Sequence, residues 1–127
     1  MSRIKAKAST HRIRKLIAAE RSQWEYLGTV PDPTRGLFYF CDKRRGPGYR
    51  RGYPTEEQAR RQIEIGIAFY VLASLGVENA HEYNWHLWCA SAEYMVTEIV
   101  QRDQQSRQAR AELAGINALI EAMTRKR

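Results

Sequence analysis

Apolar residues first recur at helical spacing in residues 10–22. Ile13, Leu16 and Ile17 share one face there, and Arg12, Arg14 and Lys15 lie elsewhere. This predicts a short helix capped by Thr10. Residues 1–9 before it show no core pattern and read as a basic arm. The period then shortens to two. WEYLGTV (24–30), LFYFCDK (37–43) and YRRGY (49–53) read as strands, joined by the turn residues PDPTRG and RRGPG. Together they predict a three-stranded antiparallel meander over 24–53. Thr55, Glu56, Glu57 and Gln58 then spell a capping box, and Gly76 supplies a stop. Between them, over 55–75, the chain is apolar nearly all round from Ile63 onward, as expected of a helix buried on more than one side.

The last third is helical in period. Asn79 can cap, and Trp85, Trp88, Ala92, Met95 and Ile99 recur at spacings of 3, 4, 3 and 4. Residues 101–110 (QRDQQSRQAR) hold no large apolar side chain, so 80–124 is one long helix or two. Leu113, Ile116, Leu119, Ile120 and Met123 form a second stripe. The expected fold is α+β: one domain over 1–127, with a three-stranded antiparallel sheet backed by a buried helix and followed by a C-terminal helical section.

Composition changes this picture little, with 43% hydrophobic and 28% charged residues in 127. Charge changes it more. The net charge of +7 is unevenly placed: residues 1–61 carry fifteen Lys or Arg against six acids, and residues 62–101 carry five Glu and no Lys or Arg. Such asymmetry implies a polyanionic partner for the basic part. The longest uncharged run, 65–77, is thirteen residues, too short for a bilayer. Cys41 and Cys89 lie in unrelated contexts, which suits a reduced, cytoplasmic protein of phage or mobile-element style.

The basic residues concentrate in one stretch. Residues 38–61 hold seven Lys or Arg, interleaved with Phe38, Tyr39, Phe40, Tyr49 and Tyr53. Strand alternation puts Phe38, Phe40 and Leu27 on the face that meets the buried helix. Tyr39, Cys41 and Lys43 point outward, and a register that adds Tyr49, Arg51 and Tyr53 makes a basic, aromatic outer surface. The candidate binding residues are Lys43, Arg44, Arg45, Tyr49, Arg50, Arg51, Tyr53, Arg60 and Arg61. Cations of this kind neutralise phosphates, and exposed rings can stack on unpaired bases.

Three strands followed by Gly52-Tyr53-Pro54-Thr55-Glu56-Glu57-Gln58-Ala59 resemble the arm-type DNA-binding domain of phage integrases, over residues 24–67. The resemblance implies a sheet lying in the major groove, with a Gly-aromatic-x-Thr-x-x-x-Ala pattern leading into the supporting helix. It implies DNA contact by Lys43, Arg44, Arg45, Arg50 and Arg51. No recombinase catalytic domain follows, so strand cutting is not implied.

Other constellations carry less. Glu82, His86, Cys89 and Glu93 share one helical stripe with zinc-binding residue types. Ligands along a single helix rarely converge without a second element, and His11 and His81 lie apart, so no metal is expected. The chain has no Gly-x-Ser-x-Gly, phosphate loop or dinucleotide fingerprint, and no cofactor or catalytic residue is expected. The function expected is non-enzymatic nucleic-acid binding, with DNA favoured. The alternative is a small inhibitor of a host protein or nucleoprotein complex, of the anti-CRISPR or anti-restriction type. The stripe over 113–123 must dock somewhere, on residues 80–100 of its own chain or on a second copy. The segment before it lacks the Gly or Pro of a sharp reversal, which favours a homodimer.

Overall fold

Ser9 starts the first helix. Its hydroxyl accepts from the Arg12 amide (3.1 Å) and opens α1, Thr10–Arg21, so the cap lies one residue earlier than Thr10. The computed structural model describes residues 9–30, 33–46, 50–78, 80–82 and 91–125. The expected basic arm up to residue 8, the Asn79 cap, Tyr49, the Glu82 side chain, Trp85, His86, Trp88 and Cys89 lie outside these residues.

The sheet is the expected antiparallel meander, in the order β1 (Trp24–Gly28), β2 (Phe38–Asp42) and β3 (Arg51–Tyr53). Each strand is shorter than its sequence pattern. Gly28, at φ 67°, and a bulge at Leu27 end β1 early. A 3-10 turn over Lys43–Arg45 ends β2. Thr55 caps α2, Glu56–Ser74, by accepting from the Gln58 amide (3.1 Å). Gly76, at φ 78°, stops it, with the Val77 amide returning to the Leu72 carbonyl (3.0 Å). Residues 91–125 hold one uninterrupted helix, α3, Ala92–Arg125, with no turn near Gln104.

α2 is the centre of the core. Ile63, Ile65, Ile67, Val71 and Leu72 are buried on it, meeting Ile13 and Ile17 of α1, Phe40 of β2, and Met95, Val96 and Ile99 of α3. Such a helix has neighbours on several sides, which is why its apolar residues do not confine themselves to one stripe. Gly66 sets how close the sheet comes. A methyl group there would sit 2.4 Å from the Trp24 ring, so the indole lies directly on the helix backbone.

Glu64 ties three helices together. Its carboxylate takes the Arg21 guanidinium of α1 (3.0 Å to Nη2) and the Ala92 amide at the start of α3 (2.9 Å). Burial pushes the Glu64 carboxyl up, but the Arg21 hydrogen bond, the Ala92 amide and the Arg21 charge outweigh it and hold the pKa below the ordinary value. α3 leaves the core after Val100. Arg107 donates to the Gly76 carbonyl (2.7 Å), and from there to Arg125 every residue is exposed. Among the described residues no helix is long and apolar enough to cross a membrane.

Candidate nucleic-acid interface

The register of β3 decides what the basic stretch presents. Phe38 pairs with Tyr53, Tyr39 with Gly52, and Phe40 with Arg51. Directly paired residues share a face, so Arg51 and Tyr53 lie with Phe38 and Phe40, not with Tyr39. The expected outer surface is therefore corrected by one residue. The 3-10 turn over Lys43–Arg45 takes up chain that alternation assigned to strand, and this reverses the parity of everything after it.

The rings follow from that register. Tyr53 stacks on Phe40, with centroids 5.7 Å apart and planes 11° from parallel, and packs against the core. On the other face, the Tyr39 ring lies across Gly52, where an added methyl group would stand 2.9 Å from it. Tyr26 and Trp24, not Leu27, join Phe40 on the inner face, and the Arg60 guanidinium covers the Tyr26 ring at 4.0 Å. The rings near the basic stretch are thus largely engaged in packing.

The cations divide into two groups. Arg44 is held inside the protein's own network. Its Nε donates to Asp42 Oδ1 (2.9 Å), its terminal nitrogens pair with the Glu20 carboxylate, and its guanidinium lies 3.8 Å over the Tyr70 ring. Trp24 Nε1 donates to the same Glu20 carboxylate (2.9 Å). Asp42 is only 3% exposed, and it also accepts from the Arg44 amide (3.1 Å) and the Tyr70 hydroxyl (3.4 Å). Burial drives the Asp42 carboxyl up, but Arg44's hydrogen bonds and charge, with Tyr70, hold it below its ordinary value. Burial likewise works against the Arg44 charge, and the two carboxylates more than offset it. Arg60 pairs with Glu56 (2.8 Å) and Arg61 with Glu57 (2.9 Å), each one turn along α2. Arg44 is therefore structural, and Arg60 and Arg61 are partly neutralised.

Lys43, Arg50 and Arg51 form the second group. All three are exposed, and none makes an ion pair with another described residue. Lys43 stands on a turn fixed by its own amide, which donates to the Gln23 carbonyl (2.7 Å), and by the Arg44 network. Both Lys43 and Arg50 act on Cys41 of the outer face: burial pushes that thiol up, Glu25 adds to the shift, and Arg50 and Lys43 oppose it. Cys41 is buried and stays protonated, so it is not an activated nucleophile. Arg51 lies on the opposite face, where it lines a cleft of about 150 Å³ together with Trp24, Phe40, Asp42, Tyr53 and Tyr70. Arg45 is exposed on the same turn as Lys43.

Tyr49 lies outside the described residues, as do His86 and Cys89 of the supposed zinc stripe. Glu93 of that stripe takes the Arg14 guanidinium of α1 (3.1 Å). Among the described residues no three His, Cys, Asp or Glu side chains gather into a metal site. Sequence reasoning missed the role of Glu20, Asp42 and Tyr70. One signal was present: an Asp immediately before a turn is a residue that bonds the backbone two positions on. Its pairing with Glu20 and Tyr70 is long-range and has no local signature.

No protein-family model matches the chain, and neither the curated proteins nor the solved structures yield a match. The likeness of residues 24–67 to integrase arm-type domains thus has no comparison behind it.

Proposed function

We propose that this protein binds nucleic acid, without catalysing a reaction on it, through Lys43, Arg50 and Arg51 at the β2–β3 end of the sheet. One observation carries the reading. Arg44, Arg60 and Arg61 are paired with carboxylates inside the protein, whereas these three stand exposed: Lys43 on a rigidly held turn, Arg50 just before β3, and Arg51 at the start of β3 on the opposite face. Their task is phosphate neutralisation with counterion release. The neighbouring rings are engaged in packing, so base stacking contributes little, and duplex DNA is the favoured partner over single strands. Arg44 is not part of the interface, and replacing it would disturb the turn rather than test binding.

Fluorescence anisotropy on a labelled DNA duplex tests this. Three phosphate contacts predict that log Kobs falls against log salt with a slope of about −2.7. The combined variant Lys43→Ala, Arg50→Ala and Arg51→Ala should lose most of that slope, with an unchanged circular dichroism spectrum. Wild-type affinity and slope in the variant would remove this surface from the reading. Tighter binding to a single strand of equal length would replace phosphate contact by base stacking.

A further inference from the structure

We infer that the far half of α3 is a self-association helix, on which a second copy of this chain packs. The proposal stands on residues remote from the nucleic-acid surface and does not depend on that reading. Leu113, Ile116, Leu119, Ile120 and Met123 are 54–63% exposed. Their spacing of 3, 3, 1 and 3 sets all five on one side of the helix. No other part of the described molecule exposes so many large aliphatic side chains together. Each offers on the order of 100 Å² to a partner, so two facing copies bury roughly 1,000 Å², where specific interfaces begin.

Among the described residues nothing covers the stripe. Leu113 stands about 30 Å along the helix axis from Ala92, and every residue from Arg107 to Arg125 is exposed.

A second copy offers the same five aliphatic side chains. Centring the stripe on itself about Ala118 puts Leu113 opposite Met123 of the second copy and Ile116 opposite Ile120, with the two Leu119 side chains about 3 Å apart along the axis. Apolar side chains then meet apolar side chains at both ends of the stripe and at its centre.

Sedimentation of the full chain at micromolar concentration should give twice the chain mass. Leu119→Glu should give the single mass with unchanged circular dichroism, because the residue touches nothing in its own core. A single mass at every concentration would overturn the proposal. So would a double mass that survives Leu119→Glu.

Discussion

α2 and the far half of α3 are both regular helices rich in aliphatic residues, yet one is enclosed and the other bare. Ile67 on α2 is fully buried, whereas Leu119 on α3 is 62% exposed. Local hydrophobicity does not separate them. The difference is topological: α2 has α1, α3 and three strands around it, and α3 beyond Arg107 has outrun every other described element. An apolar residue is buried by its neighbours, and the chain supplies neighbours only where it returns.

Matched substitutions in the two regions put this contrast to the test, and the largest difference belongs to the core. Ile67→Asp strips a buried aliphatic and leaves a carboxylate with no partner, at a cost on the order of 5 kcal/mol, enough to unfold a small protein. The same change at Leu119, measured in dilute solution, should change the unfolding free energy from urea titration by less than about 0.5 kcal/mol. A soluble Ile67→Asp variant with wild-type circular dichroism would deny α2 its central place.

Ion pairs give the next contrast. Arg44→Ala leaves Asp42 buried with one of its three hydrogen bonds and the adjacent positive charge gone. With the Arg44 side chain 35% exposed, the cost should be about 2 kcal/mol. Arg125→Ala, which removes an exposed pair with Glu121 on bare helix, should cost a few tenths. Acid sharpens the comparison. The folded Asp42 carboxyl lies below its ordinary value, so its stabilisation is complete above about pH 4 and lost as pH falls through the folded value. Arg44→Ala should therefore lose less on acidification over that range, read by unfolding midpoints at pH 6 and about pH 3. Equal losses in the two proteins would show that Asp42 does not depend on Arg44.

Two glycines give the smallest and most specific pair, because both sit in helix interiors. Alanine favours helix over glycine by about 0.8 kcal/mol. At Gly115, where nothing lies within 4 Å of an added methyl, Gly115→Ala should stabilise by about that amount. At Gly66 the methyl meets the Trp24 ring, and overpacking should turn the gain into a loss of about 1 kcal/mol. Thermal melting midpoints of the two variants should move in opposite directions, and a rise at both would mean that the sheet is free to retreat from α2.

How much of this was legible varied with the range of the forces involved. α2 was plain because a cap, a stop and an all-round apolar run agree locally. The three strands were plain from their turns. The register of β3 was not, since it depends on how many residues the Lys43–Arg45 turn consumes, and a change of one moves Tyr53 from surface to core. The continuity of α3 had a signal that the absence of apolar residues obscured. Glu98–Arg102 and Asp103–Arg107 are pairs four apart, and each closes in the structure (4.0 and 2.9 Å), carrying the helix through its polar middle. The Glu20–Arg44–Asp42–Tyr70 network was illegible because its members meet only after the sheet has docked.

Because α3 is rooted at one end only, its free part is governed by angular phase rather than by fit. Each residue inserted beyond Arg107 turns all that follows by about 100° and advances it about 1.5 Å. One insertion would swing Leu113–Met123 about a quarter turn from the side it now occupies, opposite the Arg107–Gly76 contact. Seven would return the stripe within roughly 20° and merely lengthen the reach by about 10 Å. In the core the same insertion would break packing at once. Here the chain can change length in steps of seven and keep its pattern, so length variation in this protein should be quantised along α3 and forbidden along α2.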